Sequence, residues 1–163
     1  MVSNSESRPQ ASTRQGGGPS LKVRIPPNAR FGRNVREEVI GYANQFRIGR
    51  VELDEFIFAI GEALANAIEH SGSSDVIEVR CQIEGDKIIA TVIDSGRGFL
   101  TDPHPSAILP DDMAERGRGL PIMLRCTDIF AVHSIPGKGT AVVLGRYLPG
   151  VGENPHKENH ATL

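Results

Sequence analysis

The sequence contains no tryptophan, few aromatic residues and only two cysteines. Aromatic residues make up 5% of the 163 residues, so a core must be built mainly from Ile, Val, Leu and Ala. Cys81 and Cys126 lie far apart and form no CxxC motif, which argues against a disulfide framework. Two isolated cysteines are typical of reduced thiols in the core of a cytosolic protein.

Long apolar runs and an excess of basic residues are also missing. The N-terminus lacks the apolar core of a signal peptide, and the longest apolar runs are too short to span a bilayer. The 18 basic and 20 acidic residues give a formal net charge of −2, which does not favour nucleic acid as a partner. We therefore expect a cytoplasmic protein of one domain plus tails, with no membrane and no nucleic acid among its partners.

Composition divides the chain into a central domain and two polar tails. Residues 1–20 are rich in Ser, Gln, Gly and Arg, and we predict them to be disordered because they cannot bury enough apolar surface. Residues 149–163 are also polar, and we predict a second tail there. The domain itself is expected at 21–148.

Apolar periodicity predicts the elements of this domain. Alternation indicates strands at 21–25, 76–83, 87–94, 129–135 and 139–148, and helical spacing indicates helices at 29–46, from about 56 to 71, and at 120–129. Residues 47–56 are expected to form a turn before the second helix. The order predicts an α+β fold, a two-layer sandwich with a mixed, mostly antiparallel sheet and about three helices on one face. The Pro- and Gly-rich segment 95–119 has the length of a functional loop.

The second predicted helix carries a column of polar residues. Glu62, Asn66 and His70 are spaced four residues apart, so they share one side of the helix. An Asn amide oxygen can bind a hard cation such as Mg²⁺, which takes few protein ligands and leaves room for phosphate oxygens. A Glu one turn earlier can act as a general base. A solvated helix face is the simpler interpretation of this column by itself.

Two glycine-containing stretches also suggest a ligand site. Asp94 ends a strand and is followed by Gly96 and Gly98, which allow the backbone to approach a ligand, although a strand-ending turn has the same composition. Asp94 can accept a hydrogen bond from an exocyclic amine such as that of adenine. Gly117 and Gly119 precede the third predicted helix, whose first N–H groups can bind an anion.

Arginines flank this second glycine pair, and a third glycine motif follows. Arg116 and Arg118 can add charge to a phosphate contact, or the stretch can be a flexible linker with solvated arginines. The stretch 137–142 contains Gly-Lys but lacks the upstream glycine and the Ser/Thr of a P-loop. His156 and His160 have the spacing of metal ligands but lie in the predicted tail.

Taken in order, these motifs resemble the GHKL (Bergerat-fold) ATPase superfamily over residues 21–148. The helical column 62–70 is similar to its N box, Asp94–Gly98 to its first glycine box, Gly117–Gly119 to its second, and Gly139–Thr140 to its third. The resemblance implies ATP and Mg²⁺ as cofactors and a long ATP lid between the first two glycine boxes. It implies that Asn66 ligates magnesium and that Asp94 binds the adenine amine. The remaining nucleotide-binding positions that it implies are Gly96, Gly98, Gly117, Arg118, Gly119, Leu120 and Thr140.

Within this superfamily, the chain most resembles anti-sigma-factor serine/threonine kinases. Its length leaves no room for the extra domains of gyrase, Hsp90 and MutL relatives, and its first histidine is His70, so we expect no acceptor histidine upstream of the domain. The resemblance implies a homodimer that binds a sigma factor and phosphorylates a STAS-domain antagonist in trans. Glu62 would be the base that activates the acceptor hydroxyl, and Arg116 would stabilise the transferring phosphoryl group.

Two other functions are compatible with the sequence. A non-catalytic ATP-binding module could sequester a sigma factor, and a histidine-kinase-like protein could phosphorylate a separate acceptor. Arg118 stands between the glycines of the second box, where a smaller residue is commoner, and the loop before it is Pro-rich. An acid-stable phosphoserine or phosphothreonine product would favour the anti-sigma kinase.

Overall fold

Five strands of the described residues form one antiparallel sheet. The computed structural model describes residues 19–72, 75–100 and 119–148. Its strands are β1 (Leu21–Ile25), β2 (Ile77–Glu84), β3 (Lys87–Asp94), β4 (Ile129–Ile135) and β5 (Gly139–Tyr147). Their order across the sheet is β1-β2-β3-β5-β4, and each neighbouring pair is antiparallel. This order places the ends of β3 and β4 on either side of the start of β5.

Three helices pack against this sheet in the described part of the chain. They are α1 (Gly32–Asn44), which follows a short 3-10 turn at Ala29–Phe31, α2 (Arg50–Ser71) and α3 (Gly119–Cys126). α2 contacts β3, β5 and both other helices, and α1 contacts β1. The longest helix therefore lies over the middle of the sheet.

The core fills the space between the helices and the inner face of the sheet. On β3, burial alternates with a period of two, as expected for a strand with one face against a core. The largest fully buried side chains come from both layers: Val35, Val39, Phe56, Ile60, Ile77, Val79, Ile88, Val92 and Leu144. The core is thus aliphatic with a single Phe among its largest side chains, as the composition predicts.

The predicted α+β two-layer sandwich is confirmed. All four strand pairings in the described residues are antiparallel, so the sheet is more regular than the mixed one that the sequence suggests. The strand bounds agree with the predicted ones to within one residue at each end. Gly72 ends α2 in the left-handed conformation (φ 56), which is common for a glycine at a helix C-terminus.

The predicted turn at 47–56 is wrong, because α2 already begins at Arg50. Gly49 is extended at the N-cap, and the Leu53 N–H donates to its carbonyl at 3.1 Å. Leu53 is buried three residues before Phe56, so it extends the apolar stripe by one turn. The charged residues around it had hidden this turn of helix from the periodicity.

Two other helix bounds also differ from the predictions. The first helix is divided into the 3-10 turn and α1, and Asn28 caps the turn by accepting the Arg30 N–H at 3.1 Å. α3 ends at Cys126, three residues earlier than predicted, because the Asp128 N–H already donates to Gly145 O in the sheet. The tail predictions for 1–20 and 149–163 fall outside the described residues, apart from Pro19 and Ser20.

Candidate functional site

Glu62 and Asn66 lie one turn apart on α2, and both are half-buried. They converge on Gly119, the first residue of α3. A Cβ atom added to Gly119 would lie 3.2 Å from Glu62 Oε2 and 3.4 Å from Asn66 Nδ2. The first distance is tighter than an ordinary contact and the second is at its lower limit, so a glycine allows both polar side chains to approach the start of α3.

α3 runs antiparallel to α2, and an arginine of β5 fixes its far end. Arg146 Nη1 donates to Cys126 O at 3.0 Å and pairs with Glu55 Oε2 of α2 at 2.5 Å. The first N–H groups of a helix have no partner within the helix, and this end carries the positive side of the helix dipole. The start of α3 beside Asn66 is therefore suited to an anion such as phosphate.

Asp94 ends β3 and is only 8% exposed. Its Oδ1 accepts the Gly96 N–H at 2.8 Å, which holds the carboxylate in place. Among the described residues, Oδ2 makes no further hydrogen bond. A fixed, buried carboxylate with one free oxygen is a strong acceptor for an N–H group of a ligand.

Two glycines let the turn after β3 pack directly on the β4–β5 hairpin. Gly139 has φ 104, and a Cβ there would collide with Asp94 O; Gly98 has φ 60, and a Cβ there would collide with Ile135 O. The Gly137 N–H donates to Arg97 O at 2.6 Å across the same contact. This packing gives a physical reason for Gly98, as the first glycine box requires, and for Gly139 of the third.

Thr140 is the cross-strand neighbour of Asp94 on one side and of Ser134 on the other. Thr140 Oγ1 and Ser134 Oγ are 2.9 Å apart, and the Phe99 N–H donates to Ser134 Oγ at 2.8 Å. Ser134 is buried and belongs to none of the sequence motifs. The sequence feature that could have indicated Ser134 is a polar residue on the inner face of an otherwise apolar strand.

The α2 residues and the sheet residues belong to one region of the molecule. The C-terminal end of α2 approaches the turn after β3, where a Cβ on Gly72 would lie 3.9 Å from Arg97 Nε. α2 also packs against β3 and β5, which carry Asp94 and Thr140. The helix that carries Glu62 and Asn66 therefore packs against the two strands that carry Asp94 and Thr140.

Three predicted site residues fall outside the described residues. Arg116, Gly117 and Arg118 belong to 101–118, and their assignments stay predictions. Gly119 and Leu120 begin α3, as the second glycine box requires. Where the structure describes the chain, no three His, Cys, Asp or Glu side chains form a metal-binding group. No helix in those ranges is long and apolar enough to cross a membrane.

The comparisons with known proteins concern the family and the fold of the chain. The family of histidine kinase-like ATPase domains matches residues 25–146. Anti-sigma F factor from Thermoanaerobacter sp. (strain X514) is 31% identical over 128 residues, which cover 74% of this chain and 86% of the relative. Serine-protein kinase RsbW from Bacillus subtilis (strain 168) is 24% identical over 140 residues, which cover 80% of this chain and 86% of the relative.

A solved structure supports the fold. The RsbU and RsbW domains of a Mycobacterium tuberculosis protein match with a TM-score of 0.62 at 22% identity, over 80% of this chain. This chain spans only 32% of that longer one, so the likeness concerns one part of it. The family match includes Glu62, Asn66, Asp94, Gly119 and Thr140. The chain belongs to the histidine kinase-like ATPase domain family, and anti-sigma F factors and RsbW serine-protein kinases are among its relatives.

Proposed function

We propose that this protein is an ATP-dependent serine/threonine kinase of the anti-sigma type. It would bind a sigma factor and phosphorylate a STAS-domain antagonist in trans. The observation that carries the proposal is the convergence of Glu62 and Asn66 on Gly119, because it brings a base and a cation ligand to an anion-binding helix start. The names of the relatives, anti-sigma F factor and serine-protein kinase RsbW, support the same class.

The sheet side of the site fits an adenine base. Asp94 Oδ2 would accept from the exocyclic amine of adenine, and Thr140 lies beside it on the neighbouring strand. Gly96 would keep a side chain away from this edge, so backbone could line the base, while Gly98 lets the turn pack on the β4–β5 hairpin. A buried carboxylate held by the Gly96 N–H keeps its position without a ligand, which reduces the cost of ordering the site.

The helix side of the site fits the phosphates and a magnesium ion. Asn66 would contribute one oxygen ligand, with phosphate and water oxygens completing the shell of a hard cation. The N–H groups of Gly119 and Leu120 would hold phosphate oxygens at the positive end of α3. Bound MgATP supplies the activated phosphoryl group and neutralises its charge.

Glu62 would act on the acceptor. A serine or threonine hydroxyl is a weak nucleophile, and a carboxylate within hydrogen-bond reach can take its proton as the oxygen attacks. Arg116 would stabilise negative charge on the transferring phosphoryl group, and Gly117 and Arg118 would complete the phosphate site. These three roles rest on the resemblance, since the residues lie outside the described ranges.

A transfer assay tests the proposal. The protein is incubated with Mg²⁺, labelled ATP and a cognate STAS-domain protein, and we expect acid-stable phosphoserine or phosphothreonine on that protein. Glu62→Gln should lower the transfer rate by about 10²-fold or more while ATP binding is kept. Glu69→Gln, an exposed change on the same helix, is the matched control and should transfer at the wild-type rate.

The other outcomes of this assay assign the protein differently. ATP binding without transfer would leave a non-catalytic sigma-binding module, and an acid-labile product would indicate a histidine acceptor. No measurable ATP binding would overturn the kinase altogether. The homodimer that the family resemblance implies is tested separately by sedimentation velocity, where a concentration-independent monomer would contradict it.

A further inference from the structure

Ser134 occupies a position in the site to which the sequence analysis gave no role. The antiparallel register aligns Asp94 on β3, Thr140 on β5 and Ser134 on β4 as direct neighbours. Directly paired residues of an antiparallel sheet point to the same face, so the three side chains form one row. Asp94 and Ser134 are 8% and 7% exposed, which places the row at the buried edge of the proposed adenine site.

The Ser134 hydroxyl has one proton but two possible hydrogen-bond acceptors within reach. It accepts the Phe99 N–H at 2.8 Å, lies 2.9 Å from Thr140 Oγ1, and lies 3.3 Å from Gly139 O. A serine hydroxyl has one proton to donate and two lone pairs. Its proton can therefore go to Thr140 or to Gly139 O, but not to both.

This choice sets what Thr140 can offer to a ligand. If Ser134 donates to Gly139 O, Thr140 donates to Ser134 and presents only lone pairs. If Ser134 donates to Thr140, the Thr140 proton is free to point away from the sheet toward a ligand. Both arrangements keep the 2.9 Å contact with Thr140 and the Phe99 hydrogen bond, and the second gives up only the longer contact with Gly139 O at 3.3 Å.

The hydrogen-bonding edge of adenine requires the second arrangement. Its exocyclic amine donates and its N1 accepts, so a matching site presents an acceptor beside a donor. Asp94 is the acceptor, and Thr140 can be the donor when Ser134 donates a hydrogen bond to it. We propose that Ser134 is a positioning residue that makes the Thr140 hydroxyl a donor toward N1 of adenine. This inference rests on the proposed ATP site.

Binding of ATP and of 1-deaza-ATP, in which a C–H group replaces N1, tests the inference in the full chain. The wild type should bind ATP about tenfold more tightly than 1-deaza-ATP, since the analogue leaves a buried donor unpaired. In Ser134→Ala this ratio should fall to about threefold or less, and in Thr140→Val to about one. Ser134→Thr keeps the hydroxyl on a strand and should restore the wild-type ratio.

The ratio separates positioning from loss of structure. Thr91→Val removes a hydroxyl from the opposite face of β3 and should leave the ratio unchanged. A folded Ser134→Ala variant with the wild-type ratio would overturn the inference and leave the ATP site standing, and so would a ratio that Ser134→Thr fails to restore. Failure of the wild type to bind ATP would instead overturn the proposed function, and this inference with it.

Discussion

At Gly119, the addition of a single methyl group should affect the proposed site and the stability of the fold differently. Alanine favours helices over glycine, which by itself would stabilise α3. The added Cβ would lie 3.2 Å from Glu62 Oε2, so this side chain must move by a few tenths of an ångström, and 3.4 Å from Asn66 Nδ2, which is the lower limit of ordinary contact. The proposed site requires the Glu62 and Asn66 side chains at their present positions, whereas the stability of the fold does not depend on them.

We therefore expect Gly119→Ala to change activity without a loss of stability. The free energy of unfolding should stay within about 0.5 kcal/mol of the wild type, or rise, because the helix propensity offsets the tight contact. The rate of phosphotransfer should fall about tenfold or more, since small displacements of catalytic groups are costly. Urea denaturation and the transfer assay measure the two effects.

Gly41→Ala is the matched control for this substitution. Gly41 is exposed inside α1, and a Cβ there would meet no atom within 4 Å. We expect it to stabilise the protein by about 0.5–1 kcal/mol with unchanged transfer. A Gly119→Ala variant with wild-type transfer would contradict the assignment of Glu62 and Asn66.

Arg146 connects β5 with α2 and with the C-terminal end of α3. These contacts help to fix the position of α3. Its guanidinium group, on β5, bonds the last carbonyl of α3 and the Glu55 carboxylate of α2. Arg146 is 20% exposed and Glu55 48%, so solvent screens the ion pair only in part. α3 has eight residues, too few for a stable isolated helix, and its position depends on such contacts.

Removal of this contact should loosen α3 at the far end from the nucleotide. Arg146→Ala leaves Cys126 O without its partner, and we expect a loss of stability of about 1–2 kcal/mol. ATP affinity should fall about three- to tenfold, because part of the binding energy is used to order α3. Isothermal titration calorimetry and urea denaturation measure these quantities.

An exposed arginine provides the comparison. Arg50 pairs with Asp54 at 3.7 Å, but their side chains are 92% and 67% exposed. Arg50→Ala should change neither stability nor ATP affinity measurably, as is usual for surface pairs. If both variants weaken ATP binding equally, overall charge rather than the position of α3 is responsible.

The sequence predicts elements better than it predicts their mutual register. β3 and β4 were predicted at their observed bounds, because alternation with one buried face is a local signal. The start of α2 was missed, since charged residues surround the buried Leu53. Ser134 belongs to no recognisable sequence motif. Its proposed role in the site depends on its pairing with Thr140 across the sheet. Only the register of β4 against β5 brings these two hydroxyls together.

At the scale of the whole molecule, the core encloses two weak acids. Cys81 is fully buried on β2, and burial raises the pKa of its thiol to about 12. Burial raises the pKa of the Tyr42 phenol above its ordinary value of 10.0, and the nearby Cys81 raises this pKa further. Tyr42 Oη donates to Pro19 O at 2.6 Å and accepts the Ile83 N–H at 3.1 Å, so its protonated form joins α1 to the sheet.

These two protons make the fold sensitive to alkali. The unfolded chain releases the Cys81 proton near its ordinary pKa of 9.0, whereas the folded protein keeps it until about 12. The folded state therefore binds more protons in this range, and stability is fully present below pH 9 and lost as pH rises. The slope from one such group is at most about 1.4 kcal/mol per pH unit.

Cys81→Ala tests this dependence on pH. The variant should be less stable than the wild type at pH 7 by about 1–2 kcal/mol, because a buried sulfur atom is removed. Between pH 9 and 10.5 its stability should fall less steeply, since of these two groups Tyr42 alone remains. Urea denaturation at several pH values measures both slopes, with Cys126→Ala as a control that keeps Cys81 and should keep the steep loss. An equally steep loss in Cys81→Ala would mean that groups outside this part of the core govern alkaline unfolding, and that the thiol ionises without opening the fold.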